Sequence, residues 1–109
     1  MLSHFIEYTY VMRFNAFNSW QNEATLKWSL PGQQEVTYKC SPGRDIVYKD
    51  QFTTTSSSNG DNPVRVFAVD ADGRELLING KPSFLVNLEP SPGVNDDSQI
   101  QQLVISKTG

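Results

Sequence analysis

Residues 24–40 read ATLKWSLPGQQEVTYKC and carry the clearest structural signal in the chain. Apolar and polar side chains alternate over residues 24–30, and the alternation returns over residues 35–40. A period of two places successive side chains on opposite faces of a β-strand, so each segment is predicted to be a strand with one buried face. Pro31 and Gly32, between them, supply the fixed φ and the positive φ of a type II turn. The stretch is therefore predicted to form a β-hairpin.

The same alternation continues on both sides of the hairpin. It predicts five more strands, over residues 5–15, 45–54, 74–79, 83–89 and 99–107, while residues 64–70, which are apolar on both faces, are predicted to form a central strand. Turn dipeptides separate several of these strands, and Asn79-Gly80 is the strongest hairpin signal among them. The three strands within residues 64–89 are predicted to form a meander of consecutive hairpins.

About eight short strands separated by Pro, Gly and Asn turns are typical of an all-β fold. We expect a single-domain antiparallel β-sandwich over residues 1–109, with a small β-barrel as the alternative. Residues 19–29 also admit a helix, because Trp20, Ala24 and Trp28 would share one helical face. The strict alternation in the second half of that segment favours a strand, which places Trp28 in the core.

The charge of the chain argues against nucleic acid as a partner. Nine Lys and Arg against twelve Asp and Glu give a net charge of −3, and no two basic residues are adjacent. No basic stripe is therefore available to neutralise phosphates. Since no apolar run is long enough for a membrane span and no signal peptide is visible, we expect no membrane insertion. The expected location is the cytoplasm, or outside the cell by a route without a conventional signal peptide.

Few side chains are available for catalysis or for binding a transition metal. The chain has one histidine, His4, and one cysteine, Cys40. A zinc site needs several such ligands, and a Ser-His-Asp triad would have to use His4, near the start of the sequence. Cys40 falls on the apolar face of its strand, where a cysteine usually serves as a small buried side chain. We therefore expect that the protein is not an enzyme and binds no cofactor.

One alternative to this expectation is a calcium site built from loops. Residues 70–73 read DADG, which is similar to part of a calcium-binding loop. Residues 59–62 and 95–97 add Asn and Asp side chains that could meet it at one end of a sandwich. The same residue types are also the ordinary choice for tight turns. No metal site is assigned, and Ca²⁺ stays an alternative.

The least typical segment is FNAFNSWQN, residues 14–22, which joins the first two predicted strands. Loops rarely carry large apolar groups among amides, whereas a sugar ring stacks on an indole while its hydroxyls pair with amide side chains. Phe17 and Trp20 could instead fold inward and plug the end of the sandwich. Taken as a ligand site, this segment and three aspartates from other loops supply Asn15, Asn18, Trp20, Gln21, Asn22, Asp61, Asp70 and Asp72.

Two functions are compatible with these observations. The first is a non-catalytic, lectin-like module that binds neutral carbohydrate, with Trp20 stacking on the sugar and the amides orienting its hydroxyls. A small lectin gains avidity from several sites, so a homo-oligomer is expected with it. The alternative is a protein–protein interaction module, such as an inhibitor, adaptor or assembly subunit, that uses edge strands and the loops 53–63 and 90–98. Thr53-Thr54-Thr55 could add to another sheet by strand pairing.

Overall fold

The computed structural model describes residues 7–30, 33–54, 63–91 and 100–107. Over these ranges the chain forms nine β-strands and no helix. The strands are β1 (Tyr8–Asn18), β2 (Ala24–Ser29), β3 (Glu35–Cys40), β4 (Asp45–Thr54), β5 (Val64–Val69), β6 (Leu77–Ile78), β7 (Phe84–Val86), β8 (Glu89–Pro90) and β9 (Gln101–Ser106).

These strands form two sheets, one of five strands and one of four, which do not close into a barrel. The prediction of an all-β sandwich is confirmed and the barrel alternative is wrong, but the sheets are not wholly antiparallel, because β1 and β9 pair in parallel. The helix considered for residues 19–29 is also wrong, because β2 occupies its second half. As a strand, β2 buries Ala24, Leu26 and Trp28 on one face, which a helix would not do with residues two apart.

The first sheet is built around β1. One side of β1 pairs antiparallel with β4 over ten residues, from Tyr8 opposite Thr54 to Phe17 opposite Asp45. The other side pairs in parallel with β9 and, near its beginning, antiparallel with β8. β6 pairs with the far side of β9. The order β4-β1-β9-β6 therefore leaves β4 at one edge of the sheet.

The second sheet has the order β3-β2-β5-β7. β2 and β3 form the predicted hairpin, in register from Ala24 opposite Cys40 to Ser29 opposite Glu35. The amide of Gln33 donates to the carbonyl of Leu30 at 3.0 Å, which closes the connection between the two strands. The β-hairpin predicted over residues 24–40 is thus confirmed.

The predicted meander over residues 64–89 is wrong, because its middle segment changes sheets. The amide of Leu76 still donates to the carbonyl of Ala68 in β5, at 2.8 Å, but Leu77 already pairs with Ser106 in β9. β5 pairs with β7 instead. The side chain of Asn79 holds the crossing segment, since it donates to the carbonyl of Gln102 and accepts from the amide of Val104.

The turn that follows this crossing has the predicted form. Asn79 and Gly80 have φ angles of 52° and 78°, and the residues on either side of them, Ile78 and Lys81, pair through both backbone hydrogen bonds. Two consecutive positive φ angles define a type I′ turn, whose twist matches that of the strands it joins. The Asn-Gly signal was therefore correct, although the strand before it is only two residues long.

β1 ends three residues later and is more buried than the alternation predicts. It continues to Asn18, so that Phe17 and Asn18 are strand residues and not part of a connecting loop. Val11 and Arg13, which alternate with the core residues of β1, are buried as well. The reason is that β1 has neighbours on both sides, and the guanidinium Nε of Arg13 pairs with the Glu89 carboxylate at 3.0 Å.

The core between the sheets is centred on aromatic rings. Trp28 is 1% exposed, which confirms its predicted place in the core. It contacts Phe14 and Tyr48 edge to face, with ring centroids 5.6 and 4.9 Å apart. Tyr48 then contacts Tyr38, which is partly exposed. The cluster therefore runs from the middle of the sandwich to the rim between β3 and β4.

Candidate functional site

Asn18 organises the segment that the sequence singled out. Its side-chain amide donates to the carbonyls of Asn22 and Cys40, both at 2.9 Å, while its Oδ1 accepts from the amide of Trp20 at 2.9 Å. These bonds fasten the bend after β1 to the end of β3. Asn18 is 0% exposed, so it cannot contact a ligand directly. We correct its predicted role to that of a structural residue.

Trp20 is neither a fully buried plug of the sandwich nor a fully exposed ligand contact, the two alternatives that the sequence left open. Its ring is partly buried and packs against the core, yet it does not lie among the fully buried residues. The ammonium of Lys107 lies 5.1 Å from the centroid of the ring, in the range of a cation–π contact. A sugar that stacked on the face beneath this ammonium would have to displace Lys107.

The turn at residues 70–73 lies at the same end of the sandwich as Trp20. Thr25 pairs with Val69, so the segment before β2 and the turn after β5 leave the sheet together. Asp70 is largely buried, and its Oδ1 accepts from the amides of Asp72 and Arg74, both at 2.9 Å. We therefore assign Asp70 to the turn, where Gly73 supplies a φ of 80°.

The remaining predicted ligand residues divide into three groups. Gln21, Asn22 and Asp72 are exposed at the end of the sandwich that carries Trp20. Asn15 is not part of this group, because it lies within β1, opposite Val47, and its buried Oδ1 has no hydrogen-bond partner among the described residues. Asp61 lies outside the described residues.

Metal and membrane sites receive no support from the part of the chain that the structure describes. Within it, no three His, Cys, Asp or Glu side chains come together in a way that could hold a metal ion. The calcium alternative also involved residues 59–62 and 95–97, which lie outside the described ranges. No helix in those ranges has the length and apolar character needed to cross a bilayer.

Cys40 is buried at the end of β3, as predicted, and its sulfur has no exposed position from which to react. Burial raises the pKa of the Cys40 thiol to about 11; a hydrogen bond with the backbone of Leu26 lowers it in part, and the nearby Glu23 carboxylate adds to the rise. Because the thiolate is the nucleophilic form, the thiol is a poor nucleophile at neutral pH.

The edge strand β4 is the longest of the described strands that pair on one side only. It is ten residues long, and no strand of the described chain pairs with its second side. Val47, at its centre, is 70% exposed, more than any other large hydrophobic residue in these ranges. Natural edge strands are usually short, bulged or covered, since unpaired N–H and C=O groups invite another strand.

The inner rim of β4 adds aromatic surface to this edge. Tyr48 is half-buried, and its hydroxyl lies 3.4 Å from the Asp50 carboxylate. Burial, followed by the charge of Asp50, raises the pKa of Tyr48 to about 12. The hydroxyl therefore stays protonated at physiological pH. The sequence identified residues 45–54 as a strand but could not show that this strand lies at an edge.

A shallow cleft lies beside β7, at the edge of the second sheet that is opposite β3. Its volume is about 600 Å³, and it is lined by Arg65, Lys81, Pro82, Ser83, Phe84 and Leu85. Nη1 of Arg65 donates to the hydroxyl of Ser83 at 2.6 Å. This bond occupies part of the guanidinium, and the cleft is open to solvent.

Comparison of the sequence with models of known protein families finds no matching family, and comparison with curated proteins finds no significant match. Function therefore has to follow from the geometry of the chain. Three surfaces of the described residues are candidates: the Trp20 end, the Arg65 cleft and the β4 edge.

Proposed function

We propose that the protein is a non-catalytic interaction module that binds another β-sheet by strand addition at β4. The observation that carries this proposal is the ten-residue edge strand with an exposed valine at its centre. Such an edge offers a row of backbone donors and acceptors to an incoming strand. Main-chain hydrogen bonds then supply affinity, and the side chains on the outer face supply selectivity.

The other sheet edges among the described strands are less suited to this role, and β8, which pairs only with β1, has two residues. β6 and β7 have two and three residues, too few for a continuous ladder of hydrogen bonds. β3 has six residues, but its most exposed large hydrophobic side chain, Tyr38, is 38% exposed, against 70% for Val47 in β4. β4 is therefore the longest edge that a partner strand can follow.

A glycan site at the Trp20 end is the second candidate. It is favoured by the grouping of Gln21, Asn22 and Asp72 beside a partly exposed indole. It is less well supported than the β4 edge, because Asn18 is buried and Lys107 lies over the ring of Trp20.

A fluorescence titration tests the glycan candidate. A neutral sugar that stacked on Trp20 would displace Lys107 and change the polarity around the ring, so the emission of Trp20 would shift. The Trp28→Phe background removes the other indole from the signal, and Trp20→Ala in native protein is the control for binding. If none of a panel of neutral sugars shifts the emission of Trp20, the glycan hypothesis is wrong.

Photo-crosslinking tests the β4 edge directly. A benzophenone amino acid is placed at position 47 and the protein is expressed in its native cells. The matched control places it at position 104, since Val104 is also an exposed valine but lies on β9, which pairs with β1 and β6. We expect discrete adducts from position 47 and only background from position 104. Equal labelling from both positions, or none from position 47, would contradict the proposal.

A further inference from the structure

We propose that the strand added to β4 is the β4 strand of a second copy of this chain, antiparallel and with Val47 opposite Val47 across a two-fold axis. This inference rests on the proposed function of the β4 edge and names its partner. It follows from the order of charges and apolar groups along the strand, DIVYKDQFTT.

Symmetry leaves only a few arrangements to compare. When two identical strands pair antiparallel about a two-fold axis perpendicular to the sheet, one residue lies opposite its own copy. The others pair outward from that residue, one step at a time. Each arrangement is thus defined by the residue at the axis. Alternate residues of β4, namely Asp45, Val47, Lys49, Gln51 and Thr53, are exposed.

With Val47 at the axis, every charge near the interface meets an opposite charge. Asp45 of each copy lies opposite Lys49 of the other, which gives two ion pairs on the outer face. Arg44, just before the strand, lies opposite Asp50, which gives two more. All four side chains are exposed in the single chain. Opposite charges directly across an antiparallel pair stabilise it, and like charges destabilise it.

No other two-fold register produces an opposite-charge pair from these four residues. An axis at Lys49 places two lysines face to face, and an axis at Asp50 does the same with two carboxylates. An axis at Tyr48 places Val47 opposite Lys49 and leaves both aspartates without a cation. The charge sequence of β4 is therefore complementary to itself in one register.

The apolar residues agree with the same register. Val47 is the most exposed large hydrophobic residue of the described chain, and in this pairing it contacts its own copy. On the inner face, the half-buried Ile46 of one copy lies opposite the half-buried Tyr48 of the other. Apolar contacts at the centre with charges around them are the usual anatomy of a protein interface. The contact is small, so the dimer is expected to dissociate on dilution.

A charge-swap experiment tests both the partner and the register. Asp45→Lys alone places two cations across each outer pair, and Lys49→Asp alone places two anions there. We expect each variant by itself to dimerise at least about tenfold more weakly than the native chain in sedimentation velocity. An equimolar mixture restores both ion pairs in a heterodimer, so its affinity should return to within about threefold of the native value. All the changed side chains are exposed, and circular dichroism confirms that each variant is folded.

A disulfide trap checks the register independently. Val47→Cys should form a disulfide-linked dimer on mild oxidation, because opposite residues of an antiparallel pair bring their Cβ atoms close together. Lys49→Cys should form far less, since its copies are separated along the strand. The native Cys40 is buried and does not compete. Faster crosslinking of Lys49→Cys than of Val47→Cys would overturn the register.

The outcomes separate this inference from the proposed function. A mixture that associates no better than either variant alone, or a native chain that stays monomeric at millimolar concentration, refutes self-pairing. If position 47 then crosslinks to a different protein in cells, the interaction module stands and only the identity of its partner was wrong. If position 47 crosslinks to nothing, both proposals fail.

Discussion

Trp28→Ala is expected to lower the free energy of unfolding by about 3–5 kcal/mol, which is a large part of the stability of a domain of this size. Trp28 is fully buried and contacts the rings of Phe14 and Tyr48. Truncation removes these contacts and leaves a cavity at the centre of the core. Chemical denaturation followed by circular dichroism measures the loss.

Two matched variants show whether packing causes this effect. Nε1 of Trp28 has no hydrogen-bond partner among the described residues, so Trp28→Phe should cost much less than Trp28→Ala. Trp20→Ala removes the same atoms from a partly exposed position and should also cost less. If Trp20→Ala destabilised the protein as much as Trp28→Ala, the core assigned to the sandwich would be incorrect.

Asn18→Ala is expected to destabilise the protein by about 2–4 kcal/mol, because it leaves several backbone groups without their partner. The lost bonds are those to the carbonyls of Asn22 and Cys40 and to the amide of Trp20. Thermal unfolding, monitored at several denaturant concentrations, gives the change. Asn22→Ala, at an exposed side chain of the same segment, should remain within about 0.5 kcal/mol of the native protein.

The same pair of variants discriminates a structural Asn18 from a ligand-binding one. With a structural role, Asn18→Ala also alters the fluorescence of Trp20 in the absence of any ligand. A variant that kept native stability and native emission would show that the buried hydrogen bonds of Asn18 contribute little.

Local features of the fold could be predicted from the sequence, because they depend on neighbours along the chain. The alternation of residues 24–30 and the Asn79-Gly80 dipeptide each determine backbone geometry over a few residues. The change of sheet after Leu76 depends instead on bonds from Asn79 to β9, more than twenty residues away. The alternation of apolar and polar residues does not reveal which distant strands pair.

The candidate site was predicted less well, for a related reason. The side-chain amide of an asparagine can bind a sugar hydroxyl or a backbone carbonyl equally well, and that of Asn18 binds backbone carbonyls. The edge position of β4 follows from strand order, which the sequence does not reveal. Once that order is known, the charges of Asp45 and Lys49 can be compared across the proposed pairing of two β4 strands, where each lies opposite the other.

Hydrogen exchange at the β4 amides, followed by NMR in dilute protein and in the associated state, tests the open edge most directly. Because β4 pairs antiparallel with β1, alternate amides of β4 point toward β1, and the amides between them point outward from the open edge of the sheet. We expect the outward amides of Asp45–Lys49, the part of β4 that lies opposite the other copy, to exchange rapidly in dilute protein and to become protected on association, while the amides bonded to β1 stay protected throughout. Slow exchange of every β4 amide in the dilute monomer, or unchanged rapid exchange in the complex, would contradict it.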